Sequence, residues 1–254
     1  MARILVTGST TGLGLAAAAL LDDGHDVVLH ARSRARAADL RKIARRAAGV
    51  VIGDLAELDQ TRRLADDVNE LDPLDAVIHN AGIYTERAPN RTAEGHPRVF
   101  AVNVLAPYLL TAGIRRPARL IYLSSGMHTG GRPSLDDLDW TRRRWNGTQA
   151  YSDSKLLVTA LAVAIARHWS DVYSNAVDPG WVPTRMGGPG APDDLDLGYQ
   201  TQVWLATSND PEARVSGKYW YHRKAQLPAK PATDTAFQNQ LLGRLAELTN
   251  QPLY

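Results

Sequence analysis

The segment Thr7-Gly8-Ser9-Thr10-Thr11-Gly12-Leu13-Gly14 follows the apolar run Ile4–Val6 without a break and opens an Ala-rich stretch, Leu13–Asp23. A strand that turns on spaced glycines into a helix constrains the fold more than any other feature of the chain, because it defines a βα unit. Gly8 allows the tight turn, Gly12 lets backbone approach a pyrophosphate, and Gly14 lets the helix pack close to the strand. Free N–H groups at the helix start, together with its dipole, favour phosphate there. The same rhythm runs on. Short apolar runs at Val27–His30, Val50–Ile52, Ala76–His79, Arg119–Leu123, Asn175–Val177 and Lys218–Tyr221 read as strands. Between them, Ala35–Ala47, Glu57–Leu71, Glu94–Ile114, Ala150–His168 and Leu195–Ser208 read as helices, and a last helix covers Thr235–Leu248. This alternation predicts a doubly wound α/β fold, a seven-stranded, mainly parallel sheet with helices on both faces and ligands at the carboxyl ends of its strands.

Size and composition agree with one domain spanning residues 1–254, with 44% apolar residues to fill its core. A net charge of +2, without long blocks of one sign, argues against a nucleic-acid partner. The chain has no cysteine, which excludes disulfides and thiolate chemistry, and its seven histidines show no metal-ligand spacing. The longest apolar stretch, Leu156 to Ala166, is too short to span a bilayer. The chain enters an apolar strand at once, ARILVTG, so the expectation is a cytoplasmic protein without a leader. Two polar, Gly- and Pro-bearing segments interrupt the rhythm, Gly126–Gln149 and a substrate loop near 181–198. Both follow a strand end, and both are expected at the mouth of a ligand crevice.

The second strand ends His30-Ala31-Arg32-Ser33, with Arg34 and Arg36 next. A carboxylate there would bind a ribose 2′-hydroxyl; a guanidinium instead suits a 2′-phosphate. Arg32, aided by Ser33 or Ser9, therefore points to NADP(H) rather than NAD. Asp54, past the third strand, either accepts from an adenine amino group or caps the next helix.

Tyr151 and Lys155 stand four apart in the helical run QAYSDSKLLVTALAVAIARH, which puts both on one face. A cation about 4 Å from a phenol, at an effective dielectric of about 20, is worth roughly 4 kcal/mol, or about three pKa units. Such a pair can give and take a proton near neutral pH. Alone, the spacing fits a surface helix with a snorkelling Lys equally well.

Taken in order, TGSTTGLG, Asp54-Leu55, Asn80-Ala81-Gly82, Asn103, Ser124-Ser125, Tyr151-Ser-Asp-Ser-Lys155 and Pro179-Gly180 resemble the short-chain dehydrogenase/reductases over nearly the whole chain. LSSGMH followed by an insert containing DDLDW is similar to their retinol dehydrogenase-like branch. The resemblance implies reversible hydride transfer between NADP(H) and a small-molecule ketone, aldehyde or alcohol. It implies Tyr151 as acid/base, with Lys155 lowering its pKa and binding the nicotinamide ribose. Ser125 would bond the substrate oxygen, and Asn103 would hold a water in the relay to Lys155. It implies Gly8, Ser9, Thr11, Gly12, Leu13, Asp54, Leu55, Asn80, Ala81 and Gly82 along the cofactor, and Pro179, Gly180, Val182 and Thr184 on its nicotinamide side. Ser124 is expected to be structural, and Arg142-Arg143-Arg144 a solvated face. Met127, Trp145 and Trp181 are candidates for an apolar pocket. A non-catalytic NADP-sensing regulator needs the glycine turn but not the phenol, ammonium and serine that remain here. The Ala-rich helix after Tyr151 leaves a homo-oligomer open.

Overall fold

A computed structural model describes residues 1–84 and 86–253, the side chains of Leu15, Ala17 and Ala18 excepted. Eight strands form one sheet: β1 (Arg3–Val6), β2 (Asp26–Ala31), β3 (Gly49–Ile52), β4 (Ala76–His79), β5 (Arg119–Leu123), β6 (Tyr173–Asp178), β7 (Tyr219–Tyr221) and β8 (Lys224–Gln226). Their spatial order is β3-β2-β1-β4-β5-β6-β7-β8. The first seven are the parallel strands expected from the sequence. The eighth corrects the expected count: β8 turns back antiparallel on β7, pairing Tyr219 with Gln226 and Tyr221 with Lys224. It was hidden because all three of its residues are exposed, so no apolar alternation marks it. Its turn is also unmarked by glycine, since His222 (φ 46°) and Arg223 (φ 59°) themselves take the left-handed conformation a tight hairpin requires.

Strand residues alternate between two cores. Leu5, Val28, Val77, Leu120 and Tyr122 face one layer with Leu64, Leu109, Leu161 and Leu241. Ile4, Val6, Leu29, Ile78 and Ile121 face the other, with Leu20, Trp204 and Leu205. The first layer is built from the helices Leu58–Asn69, Ala106–Gly113, Gly147–His168 and Thr235–Thr249. The second comes from Ala16–Asp22 and Leu195–Thr207. Side-chain caps place several helix starts. Asn146 accepts from Gln149 N–H, Asp194 from Asp196 and Leu197 N–H, and Asp234 from Phe237 N–H. The expected helix Glu94–Ile114 begins later, at Arg98 after Pro97, and passes through a π-helical turn at Ala101–Leu105. The expected helix Ala35–Ala47 is three short turns instead. The Ala-rich run from Leu156 to Ile165 is packed within the chain's own core.

His79 ends β4 fully buried, its ring stacked 4.6 Å from Tyr122. Burial pushes its imidazole down to about 3. The unfolded chain binds this proton near pH 6.5, the folded chain only near 3, so stability is complete above the first value and is lost as pH falls between them. This residue alone is expected to lower the unfolding free energy by about 2 kcal/mol between pH 7 and pH 5. Urea denaturation at the two pH values reads it, and His79→Phe removes that part of the difference.

Candidate active site

A cleft of about 480 Å³ opens at the carboxyl ends of β1 to β6. Gly8, Thr11, Gly12, Leu13, Arg32, Asp54, Leu55, Asn80, Ala81, Gly82, Tyr151, Lys155, Pro179 and Thr184 all line it. The sequence scattered these residues over 177 positions; the strand ends bring them together.

The glycine turn is shaped by contact. A Cβ on Gly14 would stand 2.1 Å from Gly8 O, so no other residue lets the helix start lie on the turn. Gly8 (φ +69°) backs onto Ala81, whose Cα is 3.1 Å from where a Cβ would be. Beneath the turn sits His30, which the sequence presented only as a strand-end residue. Its Nδ1 accepts from Gly8 N–H at 2.8 Å, and its Nε2 donates to Gly53 O at 2.8 Å. Both nitrogens are committed only in the neutral ring, and burial holds the imidazole below its usual range. His30 thus ties the ends of β1, β2 and β3. Ser9, by contrast, is fully buried and leaves the cleft. Its hydroxyl donates to Val6 O and accepts from His30 N–H, and its own N–H goes to His30 O. It is not placed to assist Arg32.

Arg36 is placed for that. It lines the cleft with Arg32 and Thr10, and it donates to Thr10 Oγ1 at 3.3 Å while pairing with Asp39 at 2.8 Å. Asp54 Oδ1 accepts from Ala56 N–H at 3.0 Å, closing a turn ahead of the helix Leu58–Asn69, and the residue still borders the cleft. Asn80 Nδ2 donates to Thr7 O at 2.8 Å, whereas its Oδ1 is buried without a partner. An orphaned acceptor, a turn with no room for a Cβ and two guanidinium groups at the end of β2 fit a phosphorylated dinucleotide.

On the opposite side, Tyr151 and Lys155 face the cleft from the helix Gly147–His168 and are 6% and 5% exposed. Lys155 Nζ lies 5.5 Å from the Tyr151 ring centroid and donates to Leu123 O at 2.8 Å. Burial pushes this ammonium down to about 8, against the opposing field of Asp178. Burial also pushes the Tyr151 phenol up to about 12, with a hydrogen bond from Ser125 working the other way. The expected depression of the phenol by Lys155 is therefore not the dominant effect. The amine makes no hydrogen bond to the phenol among the described residues, and both groups have lost water.

Ser125 Oγ also accepts from Met127 N–H at 3.3 Å; Ser124 pairs with Thr159 at 2.6 Å beneath the helix and itself lines the cleft. Asn103 is buried in the π-helical turn. Its Oδ1 accepts from Ile83 N–H at 2.9 Å, and its Nδ2 donates to Ile83 O and Ser154 Oγ, each at 3.0 Å. The side chain thus clamps the loop after β4, its two N–H groups committed and one lone pair of Oδ1 still able to accept from a relay water. Gly180 and Val182 lie just behind the wall formed by Pro179 and Thr184; Val182 is buried.

The substrate side is apolar. Tyr84, 39% exposed, meets the Tyr151 ring edge-on at 4.7 Å and points its hydroxyl at Met127 Sδ, 3.8 Å away. Met186 borders the same cleft from the loop 181–198, whereas Trp181 is 61% exposed with its indole N–H on Gly187 O. Trp140 and Trp145 pack against each other and, with Val99 and Ala150, against Tyr151. Arg143 is no solvated residue. Its guanidinium lies 3.7 Å over the Trp140 ring and pairs with Asp153 at 3.0 Å. Asp153 also accepts from Arg132 N–H and Gln149 Nε2, so the insert Gly126–Gln149 is fastened to the helix between Tyr151 and Lys155.

Among the described residues, no helix is long and apolar enough to cross a membrane, and no group of three His, Asp or Glu could hold a metal ion. The sequence profile of the Enoyl-(Acyl carrier protein) reductase family matches residues 8–212. The chain is 41% identical to short-chain dehydrogenase chyC of Penicillium rubens over 229 residues, 88% of each chain. It is 31% identical to human (Homo sapiens) retinol dehydrogenase 13, covering 96% of this chain and 83% of that one. A crystal structure from Mycobacterium Paratuberculosis superposes with a TM-score of 0.85 at 25% identity, covering 100% of this chain and 95% of that one. A short chain dehydrogenase from Burkholderia cenocepacia J2315, solved in complex with NADP, gives 0.69 at 23% identity, with 87% and 95% covered.

Proposed function

The chain belongs to the short-chain dehydrogenase/reductase family, in its retinol dehydrogenase-like branch, and from that premise we propose that it is an NADP(H)-dependent carbonyl reductase and alcohol dehydrogenase with Tyr151 as its acid/base. One observation carries the reading. Tyr151, whose phenol the neighbouring Ser125 acts to lower in pKa, and Lys155 face the same cleft as the glycine turn and the Arg32–Arg36 pair.

Gly8, Gly12 and the N–H groups after them would hold the pyrophosphate, Asn80 and Asp54 the adenosine side, and Arg32 with Arg36 a 2′-phosphate. When bound, the nicotinamide supplies or receives the hydride. Pro179 and Thr184 wall the site where that ring would lie. Ser125 orients the substrate oxygen, and Tyr151 gives it a proton as negative charge develops or takes one in the reverse direction. Lys155, held by Leu123 O, keeps a positive charge behind that exchange. Tyr84, Met127 and Met186 exclude water from the carbonyl.

Purified protein is expected to oxidise NADPH in the presence of ketones or aldehydes of graded size, and to do so with NADH at least about tenfold less efficiently, each charge-assisted bond to the extra phosphate being worth ~1.5–3 kcal/mol. The double variant R32D/R36A is expected to reverse that preference, as read by kcat/KM for the two cofactors. No NADPH consumption with any carbonyl, in protein that binds NADPH, would favour a cofactor sensor instead.

A further inference from the structure

The stretch LSSGMH ends on His128, a residue that the proposed chemistry leaves without a part. It is 2% exposed, in the short turn Gly126–Gly130 that follows Ser125. Two hydrogen bonds hold its ring. Nε2 lies 3.0 Å from the main-chain nitrogen of Ala229, and Nδ1 lies 2.8 Å from Ser125 O. Those partners fix the tautomer. A main-chain N–H can only donate, so Nε2 presents its lone pair, and Nδ1 carries the proton and donates to Ser125 O. Both bonds need the neutral ring, and burial holds this imidazole below its usual range.

Ser125 O receives a second bond from the same residue, the His128 N–H at 3.0 Å. Any residue at position 128 could make that main-chain bond; the imidazole alone reaches onward. It crosses from the serine loop to the chain just ahead of the helix Lys230–Thr233, 101 residues away in sequence. Its centroid lies 4.4 Å from that of Tyr219 on β7. Tyr219 is anchored in turn. It is 4% exposed, and its hydroxyl donates to Asp178 Oδ2 at 3.0 Å, while Asp178 Oδ1 accepts from Gly180 N–H at 2.9 Å. The carbonyl of Ser125 therefore rests on a buried joint between the serine loop, the end of β6, β7 and the segment at Ala229. With the peptide after Ser125 fixed, only χ1 is left to aim its hydroxyl, and Met127 N–H, 3.3 Å from Oγ, holds that rotamer.

We propose that His128 is a positioning residue for Ser125: wedged between Ser125 O and Ala229 N–H, it fixes the peptide that sets the direction in which the serine hydroxyl meets the substrate oxygen. This rests on Ser125 bonding that oxygen, as proposed above. The hydroxyl is useful only if it is already aimed where negative charge develops, and a buried ring bonded at both ends supplies that alignment before substrate arrives.

The test is a double-mutant cycle between His128 and Ser125, read by kcat and KM for NADPH-linked ketone reduction. His128→Gln keeps an acceptor where Nε2 stood and loses the donor to Ser125 O. His128→Asn keeps that donor and loses the acceptor for Ala229 N–H. The glutamine variant is expected to lower kcat about five- to tenfold, the order of effect of one misaligned hydrogen bond, with the NADPH Kd within about twofold of wild type by fluorescence titration. The asparagine variant should stay within about twofold of wild type in kcat and show a lower Tm. In a Ser125→Ala background, His128→Gln should change kcat by less than about twofold, because the hydroxyl it aims is gone. The same loss with and without the serine hydroxyl overturns the proposal, since the imidazole would then act on the fold at large. So does wild-type kcat in His128→Gln, a loss in His128→Asn as deep as in His128→Gln, or failure of either variant to fold. Wild-type turnover by Ser125→Ala alone would instead overturn the reading of Ser125 beneath it.

Discussion

Tyr151→Phe is expected to lower kcat for carbonyl reduction by about a thousandfold while changing the NADPH Kd less than about threefold, the range that removal of a general acid covers. The substitution deletes one oxygen and keeps the ring against Tyr84, Trp140 and Ala150. Packing is therefore preserved, and thermal unfolding of the variant should stay close to wild type. The pH behaviour of the parent follows from the same group. With burial holding the phenol near 12, a proton is available for reduction throughout the neutral range. Oxidation needs the phenolate, so its rate should climb with pH up to the range where the bound site ionises. Steady-state kinetics in both directions, beside fluorescence titration of NADPH, checks each part. A variant that turned over as fast as wild type would remove Tyr151 from the mechanism.

Gly14→Ala carries the second large effect. The added methyl carbon would stand 2.1 Å from Gly8 O, 2.9 Å from Ser9 Cα and 3.0 Å from Gly8 C, all of them backbone atoms. No rotamer relieves that clash, so the helix start must swing off the turn. A cost of about 3 kcal/mol or more is expected, appearing as a Tm lower by roughly 6–12 °C in a chain of this size. Because the same movement spoils the phosphate cradle, NADPH binding should weaken at least about tenfold. Gly243→Ala is the matched control. It lies within the helix Thr235–Thr249, and a Cβ there meets nothing within 4 Å. It should be neutral or stabilise by about 0.5–1 kcal/mol, as alanine does in a helix interior. Calorimetry on the two variants separates steric exclusion from a general effect of losing glycine.

Much of this was legible because buried strands and helix faces leave a period in the sequence. All seven parallel strands, from Arg3–Val6 to Tyr219–Tyr221, carry apolar residues that the two layers cover. β8 carries none and escaped. Within the site, residues whose identity is demanded by backbone geometry, such as Gly8 and Gly14, or by placement on a helix face, such as Tyr151 and Lys155, could be read from spacing. His30, Arg143 and Asp178 could not. Each works through a partner distant in sequence: His30 through Gly53, Arg143 through Asp153 ten residues along a bent insert, and Asp178 through Tyr219 on another strand. Asn103 shows the reverse case. Its position was evident, but its clamp on Ile83 and Ser154 is revealed only by the folded chain.

Asp153 occupies the helix midway between the phenol and the amine, 7% exposed, and its charge is answered by the insert's Arg143, Gln149 and Arg132 N–H. The rim that would choose the substrate is therefore not an interchangeable cassette. Grafting a foreign rim onto this scaffold, or evolving a new one, strands a carboxylate in the interior unless that position is redesigned too. On the proposed function, selectivity and reactivity would be inherited together, and exploration of new substrates would proceed by changes at Tyr84 and Met186, which take no part in that ion pair.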